Sequence, residues 1–181
     1  MYRLPPAASG PEFRALLDYW IARFPKDDSA GGRLPGRQHI DPADLPARYL
    51  AHLLLLDVVP GTPRRFRFRV AGTALAGIVG RDVTGLHYDE LGGTPDRTAP
   101  VARALDLIVE QARPVFVEGA LTLPSDDFFW VKRLGLPLAR DGHNVDMVLC
   151  LWMAQRKSRT DLAKEAAAHP DGPGPQLLER I

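Results

Sequence analysis

The segment from Val145 to Gln155 constrains the fold of this chain more than any other part of its sequence. In an extended strand, successive side chains point to opposite faces of the sheet. Apolar residues occupy both sets of alternate positions: one set is Val145, Met147, Leu149, Leu151 and Met153, and the other is Val148, Cys150 and Trp152. An antiparallel sheet built around this strand must therefore be covered on both faces.

An amphipathic helix near the N-terminus is the best candidate to cover one of these faces. Ser9 and Glu12 have the spacing of a capping box, with Pro11 in the first turn, so we expect the helix to begin near Ser9. Its apolar stripe recurs with helical spacing as far as Pro25 and consists of Phe13, Leu16, Leu17, Trp20 and Phe24. We expect this helix to cover the sheet alone or together with a partner subunit.

Five segments have the composition of strands, and turn residues separate them. The predicted strands are Leu53–Val59, Arg64–Val70, Val115–Leu123, Phe128–Leu138 and Val145–Gln155. Their short connections predict antiparallel pairing. Between the second and third strands, the segment Gly72–Gly80 and a longer one that begins at Thr94–Pro95 or at Thr98 are predicted to be helical. These helices form an insert that can cover the second face of the sheet.

Charge and cysteine content narrow the class of partner and compartment. The formal net charge of +1 gives no bulk attraction to nucleic acid or to anionic lipid. Cys150 is the only cysteine, so no internal disulfide can form. The first ten residues lack a signal-peptide pattern, and the longest apolar run, Leu50–Pro60, is too short to cross a bilayer. We therefore expect a cytoplasmic protein without a membrane partner.

Several short motifs give the chain a family resemblance. They are Leu34–Arg37, Ile40–Leu45, Leu54–Val58, Phe66–Thr73, Gly80–Gly85 and Leu136–Gly142. In this order and spacing they resemble the small stand-alone bacterial PAS domains, a family formerly described as a domain of unknown function. The resemblance implies an α+β fold with a PAS-like five-stranded antiparallel sheet, a helical insert on one face and an N-terminal amphipathic helix. We expect an N-terminal helix and loop in residues 1–33, the PAS-like domain in 34–155, and a C-terminal helix and mobile tail in 156–181.

The same resemblance implies a sensory module that binds a small ligand, a partner protein or both, and that signals in trans without catalysis. A mostly apolar cavity between sheet and insert is the usual ligand site of this architecture. A filled hydrophobic core is the competing interpretation, and strand alternation does not tell which face looks towards the insert. Arg69 either anchors a ligand or pairs with Asp57 across the hairpin. The candidate lining residues are Phe68, Arg69, Thr73, Ile78, Leu105, Ile108, Val117, Trp130 and Trp152.

Partner binding is expected to use the N-terminal helix, because aromatic side chains dominate protein interfaces. The candidate surface for a homodimer or for an unidentified signalling protein consists of Phe13, Leu17, Trp20 and Phe24.

The cofactor is left unknown, and neither haem nor flavin is supported. The helix from Thr98 to Gln111 contains no histidine that could serve as an axial ligand to haem. In related domains, flavin photochemistry needs a cysteine in the insert, whereas Cys150 lies in the final strand among apolar neighbours. We predict no metal site, because His87 beside Asp89 and Glu90 is one histidine in a turn rather than a set of convergent ligands.

Two alternative functions remain open from the residues alone. One is a small enzyme that acts on an acyl or aromatic substrate in the cavity, although no catalytic residue can be nominated. The other is a nucleic-acid adaptor that uses Arg65, Arg67 and Arg69 together with Gln155–Arg159. The competing interpretation of these three arginines is that they protect an exposed sheet edge from pairing with another chain.

Overall fold

The computed structural model describes residues 2–25, 33–91, 95–123, 127–168 and 174–180. Short 3-10 turns and five α-helices accompany eight strands in this part of the chain. The helices are α1 (Pro11–Ile21), α2 (Ala47–Leu50), α3 (Thr73–Val79), α4 (Pro95–Gln111) and α5 (Arg159–Ala167). The strands are β1 (Tyr2–Arg3), β2 (Leu53–Val59), β3 (Arg65–Ala71), β4 (Val115–Thr122), β5 (Phe128–Leu138), β6 (Met147–Lys157), β7 (Gln176–Leu177) and β8 (Glu179–Arg180).

The main sheet is antiparallel and has the order β3-β2-β6-β5-β4-β7. Its five long strands confirm the five predicted from the sequence, and β6 begins and ends two residues later than expected. The sixth strand, β7, pairs with β4, and the neighbouring β8 pairs with β1. The prediction of a mobile C-terminal tail is therefore wrong for residues 176–180. Leu178 explains the difference, because this apolar side chain between the two short strands is almost fully buried.

Helix α1 forms where the apolar stripe predicts it, but its first turn is built differently. Ser9 closes the preceding 3-10 turn, and Gly10 is the N-cap with no side-chain hydrogen bond. The predicted capping box is therefore wrong, although Pro11 does occupy the first helical position. The helix ends at Ile21 rather than near Pro25, so that Phe24 lies beyond its last turn.

The alternation of β6 is realised as two separate cores, one on each face of the sheet. One core lies under α1 and includes Met147, Leu149 and Leu151. The other lies under α3 and α4 and includes Val148, Cys150 and Trp152. Both predicted covers are present in the single chain, which confirms that the sheet is a middle layer between the N-terminal segment and the insert.

The insert begins and ends as the sequence indicates within the described residues. Helix α3 stops at Gly80, whose positive φ of 79° gives the left-handed conformation of a helix C-cap. Helix α4 starts at Pro95, one of the predicted positions; Thr94 lies outside the described residues.

Gly72, at the junction of β3 and α3, has no room for a side chain. A Cβ atom there would lie 2.2 Å from the backbone oxygen of Ala51 and 2.9 Å from that of Leu53. Because both contacts are to backbone atoms, the clash can be relieved only if the junction of β3 and α3 moves. We expect Gly72→Ala to lower the free energy of unfolding by about 3 kcal/mol, measured by urea denaturation.

Gly77 provides the matched control on the same helix, since a Cβ there meets nothing within 4 Å. Gly77→Ala should raise the free energy of unfolding by about 0.5–1 kcal/mol because alanine is the better helix former. Equal effects of the two substitutions would contradict the described junction.

Candidate functional site

The buried cluster between the sheet and α3–α4, which we call the insert-face core, is the candidate site. It draws side chains from β2, β3, β4, β5 and β6, from both insert helices and from the turn between them. Its buried members are Leu54, Leu56, Phe66, Phe68, Leu75, Val83, Val101, Ala104, Leu105, Ile108, Val115, Val117, Val131, Val148, Cys150 and Trp152.

The structure brings most of the predicted lining residues together in this core. Five are buried in it and one, Ile78, packs at its margin. Ile108 lies directly over the sheet, because a Cβ added at Gly135 would come within 2.4 Å of its Cδ1 atom. Glycine at position 135 thus lets α4 approach β5 closely, and Ile108 fills the space above it. The five buried lining residues are Phe68, Leu105, Ile108, Val117 and Trp152.

Three predicted lining residues, Arg69, Thr73 and Trp130, lie outside the insert-face core. Arg69 points away from the insert at the exposed edge of the sheet, and its Nη1 is 3.4 Å from Oδ1 of Asp57. Thr73 is exposed in the first turn of α3. The structural pairing of Arg69 is therefore the correct one of its two interpretations, because Phe66 and Phe68 take the inward positions of β3.

Trp130 is buried on the opposite face of the sheet from the insert. It shares the alternation of Leu134, which packs under α1, and its indole nitrogen donates to Oε2 of Glu118 at 2.9 Å. Its placement among the ligand-lining residues is therefore wrong. Trp130 is adjacent in the strand to Val131, which faces the insert, so the two side chains point to opposite faces of the sheet. Lys132 lies near the same carboxylate and also donates to the backbone oxygen of Ala7.

Arg133 is the polar residue that the sequence analysis missed. It lies on β5 directly opposite Val117 on β4 and Trp152 on β6, so it shares the face of the insert-face core. Only 9% of its surface is exposed. Its guanidinium makes no hydrogen bond or ion pair with any residue that the structure describes, and its nitrogens keep a small accessible surface. Burial lowers the pKa of Arg133, since the charged form loses hydration without gaining a counter-ion.

Tyr88 and Cys150 are two further polar side chains on the insert face: Cys150 is buried in the core, and Tyr88 packs against it. The ring of Tyr88 lies 6.3 Å from that of Phe68, and burial raises the pKa of its phenol, which therefore stays protonated at neutral pH. Burial also raises the pKa of Cys150 to about 12, so this thiol is neither a nucleophile nor a counter-ion at neutral pH. The cluster thus offers one cation and one hydroxyl donor inside an apolar core.

The turn that carries Tyr88 is fixed to the sheet by backbone hydrogen bonds. The amide of Phe68 donates to the carbonyl of Leu86 at 2.9 Å, and the amide of Gly85 donates to the carbonyl of Phe68 at 2.7 Å. Arg65 adds an ion pair to Asp89 at 2.9 Å. Tyr88 is therefore held in place by β3.

The predicted partner surface on α1 is not exposed in the single chain. Phe13, Leu17 and Trp20 are each at most 1% exposed, and the indole nitrogen of Trp20 donates to the backbone oxygen of Pro137 at 2.9 Å. Phe24 packs edge-on against Trp20. The interpretation of Phe13, Leu17 and Trp20 as free interface anchors is therefore wrong, because they are buried in the core of the same chain. Phe24 is only partly buried, and its role at an interface stays a prediction.

The arginines of β3 lie at the sheet edge and are paired with carboxylates of the same chain. Arg67 is 2.8 Å from Asp57, and Arg65 contacts both Asp89 and Glu90. This arrangement fits edge protection better than a surface for nucleic acid. Within the described residues, no group of three or more His, Cys, Asp or Glu side chains is arranged to hold a metal ion.

The fold and the core define this chain as an α+β domain with an antiparallel sheet between an N-terminal helix and a helical insert. A family model described as a PAS domain matches residues 9–153. The chain therefore belongs to the PAS domain family. No protein with a curated function matches the sequence.

Three solved structures are similar to this chain. A light-oxygen-voltage (LOV) protein of Rhodobacter sphaeroides is 16% identical, with 65% of this chain and 66% of that chain covered at a TM-score of 0.47. The match thus spans just under two thirds of that protein. A LOV domain studied with a flavin analogue is 15% identical, with coverages of 66% and 86% and a TM-score of 0.41. A sensory box histidine kinase/response regulator of Burkholderia thailandensis is 21% identical, with coverages of 67% and 88% and a TM-score of 0.40.

In the part of the chain that the structure describes, no helix is both long enough and apolar enough to cross a membrane.

Proposed function

We propose that this PAS domain is a non-catalytic sensory module that binds a small ligand in the insert-face core and passes its signal in trans to a partner protein. One observation supports the ligand above all: Arg133 is buried in this core without a hydrogen-bond acceptor among the described residues. A buried guanidinium without a counter-ion is costly for a protein to keep. A ligand that meets this charge would remove the cost.

The neighbouring side chains support a binding role over catalysis. Cys150 stays a neutral thiol, and Tyr88 stays a neutral phenol at neutral pH. The other buried charged side chain in the described chain, Glu118, is on the opposite face and accepts from Trp130. The core therefore holds a fixed cation and a hydroxyl donor, which bind and orient a ligand without transferring a proton at neutral pH.

Native mass spectrometry of the purified protein tests the proposal. We expect a mass above that of the polypeptide, lost on denaturation, and a subunit count of two for the homodimer that the sequence analysis predicts. A bound ligand at about 100 times its dissociation constant should raise the melting temperature by about 5 °C or more. A bare chain that no compound of a metabolite library stabilises would contradict the ligand-binding role, and a monomer at all concentrations would contradict the homodimer.

A further inference from the structure

The charge pattern of β5 places one cation on each face of the sheet. Lys132 and Arg133 are consecutive, so their side chains must point to opposite faces. On the α1 face, Lys132 donates to the backbone oxygen of Ala7 at 2.8 Å and lies 3.9 Å from Oε2 of Glu118. On the insert face, Arg133 has no such partner among the described residues. The sheet thus satisfies one of its two central cations and leaves the other unpaired.

The acidic side chains described around the insert do not supply the missing anion. Asp106 on α4 pairs with Arg64 at 3.0 Å, and Glu110 lies 3.9 Å from the same guanidinium. Asp89 and Glu90 pair with Arg65 outside the core. These carboxylates therefore form ion pairs with cations at the surface and not with Arg133.

The surroundings of Arg133 define the shape of a matching ligand. A guanidinium presents parallel N–H donors that fit the two oxygens of a carboxylate. Tyr88 packs against the same core, with its ring 6.3 Å from that of Phe68, and its hydroxyl is a second hydrogen-bond donor on this side of the sheet. Beyond these two donors the walls are apolar and aromatic, with Val117 and Trp152 on the neighbouring strands and Phe68 beside Tyr88.

We propose that the ligand is a small organic acid whose carboxylate binds the guanidinium of Arg133 and the hydroxyl of Tyr88, with an apolar body against Phe68, Val117 and Trp152. This inference rests on the proposed function, because it names the ligand class of the same core. It assigns Arg133 as the residue that selects a carboxylate over its neutral amide.

Isothermal titration calorimetry with matched acids and amides tests the assignment. The probes are hexanoate, benzoate and indole-3-acetate, each compared with its amide, on protein refolded from urea to remove any bound molecule. We expect at least one acid to bind the unaltered protein, and its amide to bind about 10- to 100-fold more weakly, the range of a charge-assisted hydrogen bond. Arg133→Met should weaken binding of the acid by the same factor. Tyr88→Phe should weaken it by about 3- to 10-fold.

Two further variants make the test specific. Arg133→Lys keeps the charge but loses the paired donors, so its affinity should lie between those of the unaltered protein and Arg133→Met. Arg69→Met removes an exposed arginine of the sheet edge and should bind the acid as the unaltered protein does. Far-ultraviolet circular dichroism confirms that each variant is folded before titration.

The outcomes separate this inference from the proposed function. Equal affinity for acid and amide, or full affinity in Arg133→Met, would overturn the role of Arg133 while leaving a ligand-binding core. The role of Arg133 would also be overturned if none of the three acids bound while native mass spectrometry showed a bound neutral molecule. Failure of all three acids with a bare chain would overturn both.

Discussion

Replacing Trp20 with alanine is expected to lower the free energy of unfolding by about 4 kcal/mol, because the substitution removes a fully buried indole and leaves a cavity. Trp20 has no exposed surface, contacts Tyr2 and Phe24 through its ring, and donates to the backbone oxygen of Pro137. For a chain of this size the melting temperature should fall by about 10 °C or more. Urea denaturation and differential scanning calorimetry measure both quantities.

The matched control is Arg14→Ala on the same helix. Arg14 is 44% exposed at its side chain and lies 3.6 Å from Asp18, so its removal should change stability by no more than about 0.5 kcal/mol. Light scattering of both variants distinguishes a role of Trp20 in the core from a role as an anchor in a subunit interface. A Trp20→Ala protein of unchanged stability but altered subunit count would show that the indole is an interface anchor rather than part of the core.

Replacing Arg133 with methionine is expected to stabilise the ligand-free protein by about 2 kcal/mol, opposite in sign to most core substitutions. Methionine fills much of the space of the arginine stem and has no charge to bury. The cost that it removes is the desolvation of a guanidinium that no described residue neutralises. Urea denaturation of protein refolded without ligand measures the difference.

Arg64→Met is the control for this substitution, because Arg64 is partly buried but paired with Asp106 at 3.0 Å. Its removal should lower stability by up to about 1 kcal/mol. If Arg133→Met lowered stability as much as Arg64→Met or more, Arg133 would have to be compensated within the ligand-free chain, and the case for an external anion would fail.

The sequence predicts most of the apolar residues of the insert-face core, and it also contains the signal for Arg133. Lys132 and Arg133 stand side by side in a strand that is otherwise apolar, in a sheet already expected to be covered on both faces. Those two facts together require the two charges to lie on opposite faces of the sheet. The arginines of β3, by contrast, lie in an edge strand, which accommodates charge at little cost.

The sequence by itself determined the strands, their antiparallel pairing and the need for two covers. These features depend on periodicity and on turn residues, and both are local properties of the chain. The alternating apolar sets of Val145–Gln155 required two cores, and the structure contains two.

Only the tertiary structure decided which set of alternate residues faces the insert. Both sets on β6 are apolar, so alternation alone treats the two faces as equivalent. The choice depends on how α1 and α4 pack on the sheet, where Ile108 fits over Gly135 on one side and Trp20 reaches Pro137 on the other. These contacts join residues far apart in the chain, and they place Trp130 beside Glu118 and leave Arg133 under the insert without a partner among the described residues.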